Sequence, residues 1–176
     1  MTEFEVQAYG EGLIDGVEIM NGFWFYPKVI RRCIDNKLYM LGCTDIHAQT
    51  NAYRNNGIFR TMTFIFAKEN TLKEVRKALE KRMTLAYSSG NIAGEAQLLQ
   101  DFFKASVSYK FLSRSKKGAV YALTNSTSIG YKLRIGKKIY ELPAFQTITL
   151  TVGTDSNGKD KDIEFYVENM WEADYK

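Results

Sequence analysis

The chemistry in this chain starts at Asp45-Ile46-His47. A carboxylate and an imidazole two residues apart, at the end of an apolar run, leave the same face of a strand because strand side chains alternate. Both can then address one ion, and hard oxygen together with imidazole nitrogen suits Zn, Mn or Fe. As a bare triplet, D-x-H also fits an Asx-type turn whose histidine bonds to backbone. His47 is the single histidine of the 176 residues, so a histidine-rich metal cluster cannot be assembled from this chain alone.

Four further residues stand where they can reach the same place. Asn21 follows an apolar strand and either faces the cleft or shapes the turn beside Gly22. The long polar loop over residues 48–59 carries Arg54, whose guanidinium is either a bidentate phosphate grip or a solvated surface charge, and Arg60 poses the same choice. Thr44 immediately precedes the Asp–His pair. Glu18, mid-strand, either points into the barrel mouth or takes a surface or ion-paired position. The aromatic run Phe23-Trp24-Phe25-Tyr26 lines a pocket or forms a packing surface.

The elements that position these residues come in two sets. Over residues 1–104 strands alternate with helices. Short apolar runs at 16–20, 38–43, 61–67 and 83–87 read as strands. Helical spacing links Val29, Ile30, Cys33 and Ile34 after Pro27, then Leu72, Val75, Ala78 and Leu79 after a cap at Asn70 or Thr71, and finally Leu98, Leu99, Phe102 and Phe103 in a helix from Ala93 to Lys104. A helix also opens the chain, over residues 2–9. Strands joined by crossover helices predict parallel pairing in an α/β layer or barrel. Over residues 105–176 the period is two: Val107/Tyr109/Phe111, Val120/Ala122, Tyr131/Leu133/Ile135, Ile148/Leu150/Val152 and Ile163/Phe165/Val167. Turn signals at residues 117–118, 135–137 and 155–158 separate these runs and predict a small antiparallel β-sandwich-like domain.

Composition sets the outer bounds. With 45% hydrophobic and 14% aromatic residues the chain can bury a core. The net charge of +4 is small, and Lys and Arg read as interleaved with acids, a solvated surface rather than a nucleic-acid patch. Cys33 and Cys43 match no zinc spacing and no disulfide framework, and are expected as buried free thiols. No apolar run reaches the ~18 residues of a transmembrane helix, and the acidic opening lacks the pattern of a secretory signal.

Gly42-Cys43-Thr44-Asp45-Ile46-His47, after an apolar strand, resembles the G-S-D-x-H signature of the polymerase-and-histidinol-phosphatase (PHP) family of metal-dependent phosphoesterases. The strand at Gly16-Val17-Glu18-Ile19-Met20 and the strand–helix pair at residues 60–79 resemble that family's last barrel elements. The stretches Gly94-Glu95-Ala96-Gln97-Leu98-Leu99 and Phe103-Lys104-Ala105-Ser106-Val107 resemble Bacteroidota-type phosphodiesterase-like members that carry a β-domain after the barrel. The resemblance implies the C-terminal portion of a distorted β/α barrel, with Asp45 and His47 as the last two metal ligands and Thr44 in the serine place, orienting the loop. It implies a divalent metal (Zn, Mn or Fe) in the complete protein and a phosphorylated small molecule or nucleotide as substrate; the compartment stays open, and the resemblance allows a periplasmic or secreted parent. The family's H-x-H strand and its further ligands have no counterpart here. The expectation is therefore a truncated chain, inactive alone, with no membrane association, holding little or no metal and self-associating through exposed barrel edges. The competing expectation is a non-catalytic binding protein whose β-domain is the functional part.

Overall fold

Thr2 opens the first helix by a reciprocal cap: its hydroxyl accepts from the Glu5 amide, and the Glu5 carboxylate accepts from the Thr2 amide. The computed structural model describes residues 2–47, 49, 60–153 and 165–172. Within them the chain divides into two units, Met1–Leu99 with Met170–Lys176, and Gln100–Asn169.

In the first unit, α1 (Glu3–Gly10) leads to β1 (Gly16–Asn21), and a tight turn returns the chain as β2 (Trp24–Phe25). Pro27 starts α2 (Lys28–Asp35) from the N-cap position, and Asn36 closes it, its side-chain amide donating to the Arg32 carbonyl. β3 (Tyr39–Cys43) then lies parallel to β1 in a sheet of order β2-β1-β3. This βαβ crossover is the parallel unit that the sequence pattern predicts. Its core gathers Ile19, Met20, Ile30, Cys33, Leu38 and Met40, joined by Ala86 and Ala93 from the second sheet.

That second sheet departs from the expectation. β4 (Met62–Ile65), β5 (Thr84–Ser88) and β6 (Asn91–Ala93) pair antiparallel, although α3 (Leu72–Glu80) intervenes between β4 and β5. A helix of nine residues bounded by turns returns the chain to the neighbouring position in the opposite direction, so an intervening helix did not mean a parallel crossover. Thr71 caps α3 as predicted, but Leu72 is 87% exposed and does not join its buried face. Ala93 lies in β6, so the following helix, α4, is Ala96–Ser106 and begins later than its periodicity suggests. β13 (Met170–Trp171) completes the sheet, parallel to β6, in the order β13-β6-β5-β4. Trp171 donates its indole N–H to Asn91 at 3.1 Å and meets the Phe25 ring edge-to-face at 5.2 Å. No closed barrel is present among the described residues; the sheets are separate, with open edges.

The second unit is antiparallel throughout. β7 (Val107–Ser115), β8 (Gly118–Asn125) and β11 (Thr147–Val152) form one sheet in the order β11-β8-β7. β9 (Tyr131–Ile135), β10 (Lys138–Leu142) and β12 (Tyr166–Val167) form the other, in the order β10-β9-β12. Gly136 turns the β9–β10 hairpin at φ +57°, a conformation glycine adopts freely. Ile163 and the turn signal at residues 155–158 lie outside the described residues. Ala119, Leu123, Tyr131, Leu133, Leu142 and Leu150 are buried, and Phe103 meets the Tyr131 ring edge-to-face at 5.1 Å.

Candidate functional site

The site lies at the C-terminal ends of the parallel pair β1 and β3, where open α/β sheets collect ligands. Asn21 pairs with Cys43 in register, and the Gly22 amide donates to the Cys43 carbonyl at 2.9 Å. Gly22 turns at φ +54°, and a Cβ there would lie 3.8 Å from the Thr44 carbonyl oxygen and 3.9 Å from Asp45 Cβ. The β1 turn and the Thr44–Asp45 segment are therefore in contact.

Regular structure stops at Cys43, and Asp45 adopts φ +46°. The left-handed conformation is one that aspartate tolerates better than most side chains. Strand alternation thus does not bring Asp45 and His47 together; the turn does. Asp45 Oδ1 and His47 Nε2 lie 3.4 Å apart, with side-chain exposures of 57% and 87%. At that exposure the pair adds little to stability. Its carboxylate oxygen and imidazole nitrogen face solvent together.

Asn21 is held rather than free: its amide donates to Glu18 Oε1 at 3.1 Å. The Cys43 thiol lies against the same carboxylate. Burial, and then hydrogen bonding to Glu18 and the Glu18 charge, push that thiol up to about 11. It is protonated at neutral pH and is a poor ligand as it stands. Among the described residues Glu18 has no salt-bridge partner; it is the shared acceptor of Asn21 and Cys43. Thr44 is half-buried, Arg60 is half-buried immediately before β4, and Arg54 lies outside the described residues.

Two residues that the sequence did not single out anchor the site. Thr61, 5% exposed, and Ser88, 2% exposed, place their hydroxyls 2.7 Å apart, and both reach the Gly22 carbonyl, Ser88 at 3.1 Å. Thr61, immediately before β4, and Ser88, at the end of β5, thereby hold the turn that touches Asp45. The signal was present in Thr61 and Thr63, two hydroxyls at strand period in an otherwise apolar run.

Donor chemistry and donor number give different answers on a metal. Oxygen plus nitrogen suits Zn, Mn or Fe, but among the described residues no group of three or more His, Cys, Asp and Glu side chains could hold an ion. Protein zinc sites use three or four ligands. Asp45 and His47 offer two donors, fewer than such a site needs.

Fold and site together define a mixed α/β chain of two units with an Asp–His pair at the edge of a parallel βαβ element. No family model and no curated protein matches the sequence. A solved two-domain protein from Bacteroides vulgatus ATCC 8482, described as containing a predicted PHP-like metal-dependent phosphoesterase, is similar at a TM-score of 0.89 and 30% identity. The match covers 100% of this chain and 54% of that one, so the chain spans about half the length of its structural relative. The resemblance carried by Gly42 to His47 is borne out by this likeness, which extends over the whole chain. No helix among the described residues is long and apolar enough to cross a membrane.

Proposed function

We propose that this chain is the C-terminal part of a PHP-type metal-dependent phosphoesterase, supplying two of its metal ligands, Asp45 and His47, and a β-domain. The observation that carries the reading is the 3.4 Å Asp45–His47 pair at the end of a parallel strand, in a chain that matches 54% of a PHP-like relative. In this reading the first unit is a partial barrel, and the remaining ligands belong to a part of the complete protein other than residues 1–176. The complete protein hydrolyses a phosphate ester, of a small molecule or a nucleotide, using a divalent metal. No catalytic step is assigned to the isolated chain, because two ligands do not hold a metal in catalytic geometry.

The test is an assay of purified 1–176 with Zn or Mn against an activated phosphodiester, alongside Zn binding by equilibrium dialysis. The expected result is no turnover above background, with weak Zn binding that Asp45→Ala and His47→Ala each remove. Turnover abolished by Asp45→Ala would overturn the claim of an incomplete site. Zn binding that survives both substitutions would overturn the ligand assignment.

A further inference from the structure

Between Asp101 and Glu141 the chain carries nine Lys or Arg and no acid. That segregation is stronger than the whole-chain charge of +4 suggests, and it corrects the expectation of interleaved charges. In the structure this basic stretch includes the whole β7–β8 hairpin, with Lys110, Arg114, Lys116 and Lys117 on its exposed strand and turn. β7 is an edge strand, and every residue from Ser108 to Ser115 is exposed.

Aromatic rings lie on the same strand. Cross-strand pairs share a face, so the register sets Tyr109 beside Leu123, and Phe111 beside Tyr121, on one side of the sheet. A bulge between Phe111 and Ser113 shifts the register, so that Arg114 pairs with Ala119 and falls on that same side. The result is a row of Tyr109, Phe111 and Arg114 on one side of the edge, leading to Lys116 and Lys117 in the turn, while Lys110, opposite Ala122, leaves the other side. Tyr109 is 77% exposed and Phe111 50%. Tyr121 braces both rings edge-to-face, at centroid distances of 6.4 and 5.7 Å. Successive rings on a strand repeat at about 6–7 Å, and an aromatic row flanked by cations is how sequence-tolerant single-strand binders hold stacked bases and their phosphates.

We propose that the exposed β7 edge is a binding surface for single-stranded nucleic acid, with Tyr109 and Phe111 stacking on bases and the turn lysines Lys116 and Lys117 meeting the phosphates. Charge complementarity selects a polyanion, and the exposed rings select one whose bases are unpaired. A duplex hides its base faces, and an anionic polysaccharide has none to stack. The acids at 155, 160, 162 and 164 lie outside the described residues. The surface uses no residue of the Asp45–His47 site, so it stands or falls apart from the phosphoesterase reading.

The experiment is fluorescence anisotropy of the full 1–176 chain with a labelled oligothymidylate of about 16 nucleotides, over salt from about 50 to 200 mM. Binding is expected to weaken steeply with salt. Tyr109→Ala with Phe111→Ala should raise Kd about tenfold or more at unchanged salt slope, as loss of stacking requires. Lys116→Glu with Lys117→Glu should flatten the slope, and Asp45→Ala should bind like the parent. Tyr109→Trp gives an independent readout should the double variant fold poorly: its added emission should be quenched on binding. The proposal is overturned by no binding at low salt, by a well-folded aromatic double variant that binds like the parent, by unquenched Trp emission, or by heparin or duplex DNA competing as well as the single strand.

Discussion

The Thr63 hydroxyl oxygen lies 2.9 Å from both the amide nitrogen and the carbonyl oxygen of Gly42, accepting from one and donating to the other. A β4 side chain thus satisfies the β3 backbone where the two sheets meet. Gly42 makes that approach possible, since a Cβ there would come within 2.6 Å of the Met62 carbonyl oxygen. Backbone atoms cannot swing aside as a side-chain end can. Gly42→Ala is expected to destabilise the chain by about 1–3 kcal/mol through overpacking, and Thr63→Val by a similar amount through the unpaired Gly42 amide. Urea unfolding midpoints of the two variants check both. The double variant should fall short of their sum, because both changes disrupt one contact.

Asp45 sits at φ +46° with an exposed side chain whose carboxylate meets His47. Asp45→Gly relieves the left-handed backbone and deletes the carboxylate together. Its stability is expected to stay within about 0.5 kcal/mol of the parent or rise slightly, while Zn binding is lost. Asp45→Val, β-branched in the same conformation, is expected to unfold more readily. Thermal melts beside dialysis separate the two effects. A large stability loss in Asp45→Gly would show that Asp45 serves the fold rather than a ligand.

The sequence made the parallel half of the first unit legible because β1, α2 and β3 each have a strong local signal: apolar runs, Pro27 and a helical Ile30–Cys33 spacing. It misread the pairing of β4 with β5, because helix content between two strands does not state their direction. It missed β2, β6 and β13, which have two or three residues each, too few for a period to show, and β10, whose Lys138-Ile139-Tyr140-Glu141-Leu142 does not keep a strict alternation. Met170–Trp171 belongs with β6 of the first unit, a long-range pairing that no local pattern encodes. At the site, the Asp45–His47 pair was legible and its cause was not. The pair forms through a positive φ, and the Gly22 turn beside it is fixed by Thr61 and Ser88, residues distant in sequence.

Asn125, 1% exposed, is the polar hub of the second unit. Its amide donates to the Ile129 carbonyl at 2.7 Å and the Pro143 carbonyl at 3.0 Å, while its oxygen accepts from the Thr127 amide at 3.0 Å and the Thr127 hydroxyl at 2.9 Å. Asn125→Asp replaces the donor with a charge aimed at carbonyl oxygens, and Asn125→Ala leaves all these partners unserved. Each is expected to cost about 2–4 kcal/mol, since several buried groups lose partners at once. Hydrogen exchange should show the loss in the β8, β9 and β10 amides.

Cys33 sets a pH dependence whose sign can be worked out. Its side chain is fully buried on α2, and burial pushes the thiol up to about 11; the Arg32 charge opposes this more weakly. An unfolded thiol titrates near about 8.5. Below that value both states keep the proton, so the contribution to stability is fully present. Above it the unfolded chain loses its proton first, and stability falls as pH rises toward about 11. Tyr87 and Tyr131, whose phenols burial also raises, add to the fall at the alkaline end. The urea midpoint should therefore be level below about pH 8.5 and decline above it, and Cys33→Ala should decline less steeply over the first part of that range. The same burial predicts that Cys33 reacts with a thiol reagent only as fast as the chain opens. A Cys33 that labels at once in the folded chain would overturn both expectations.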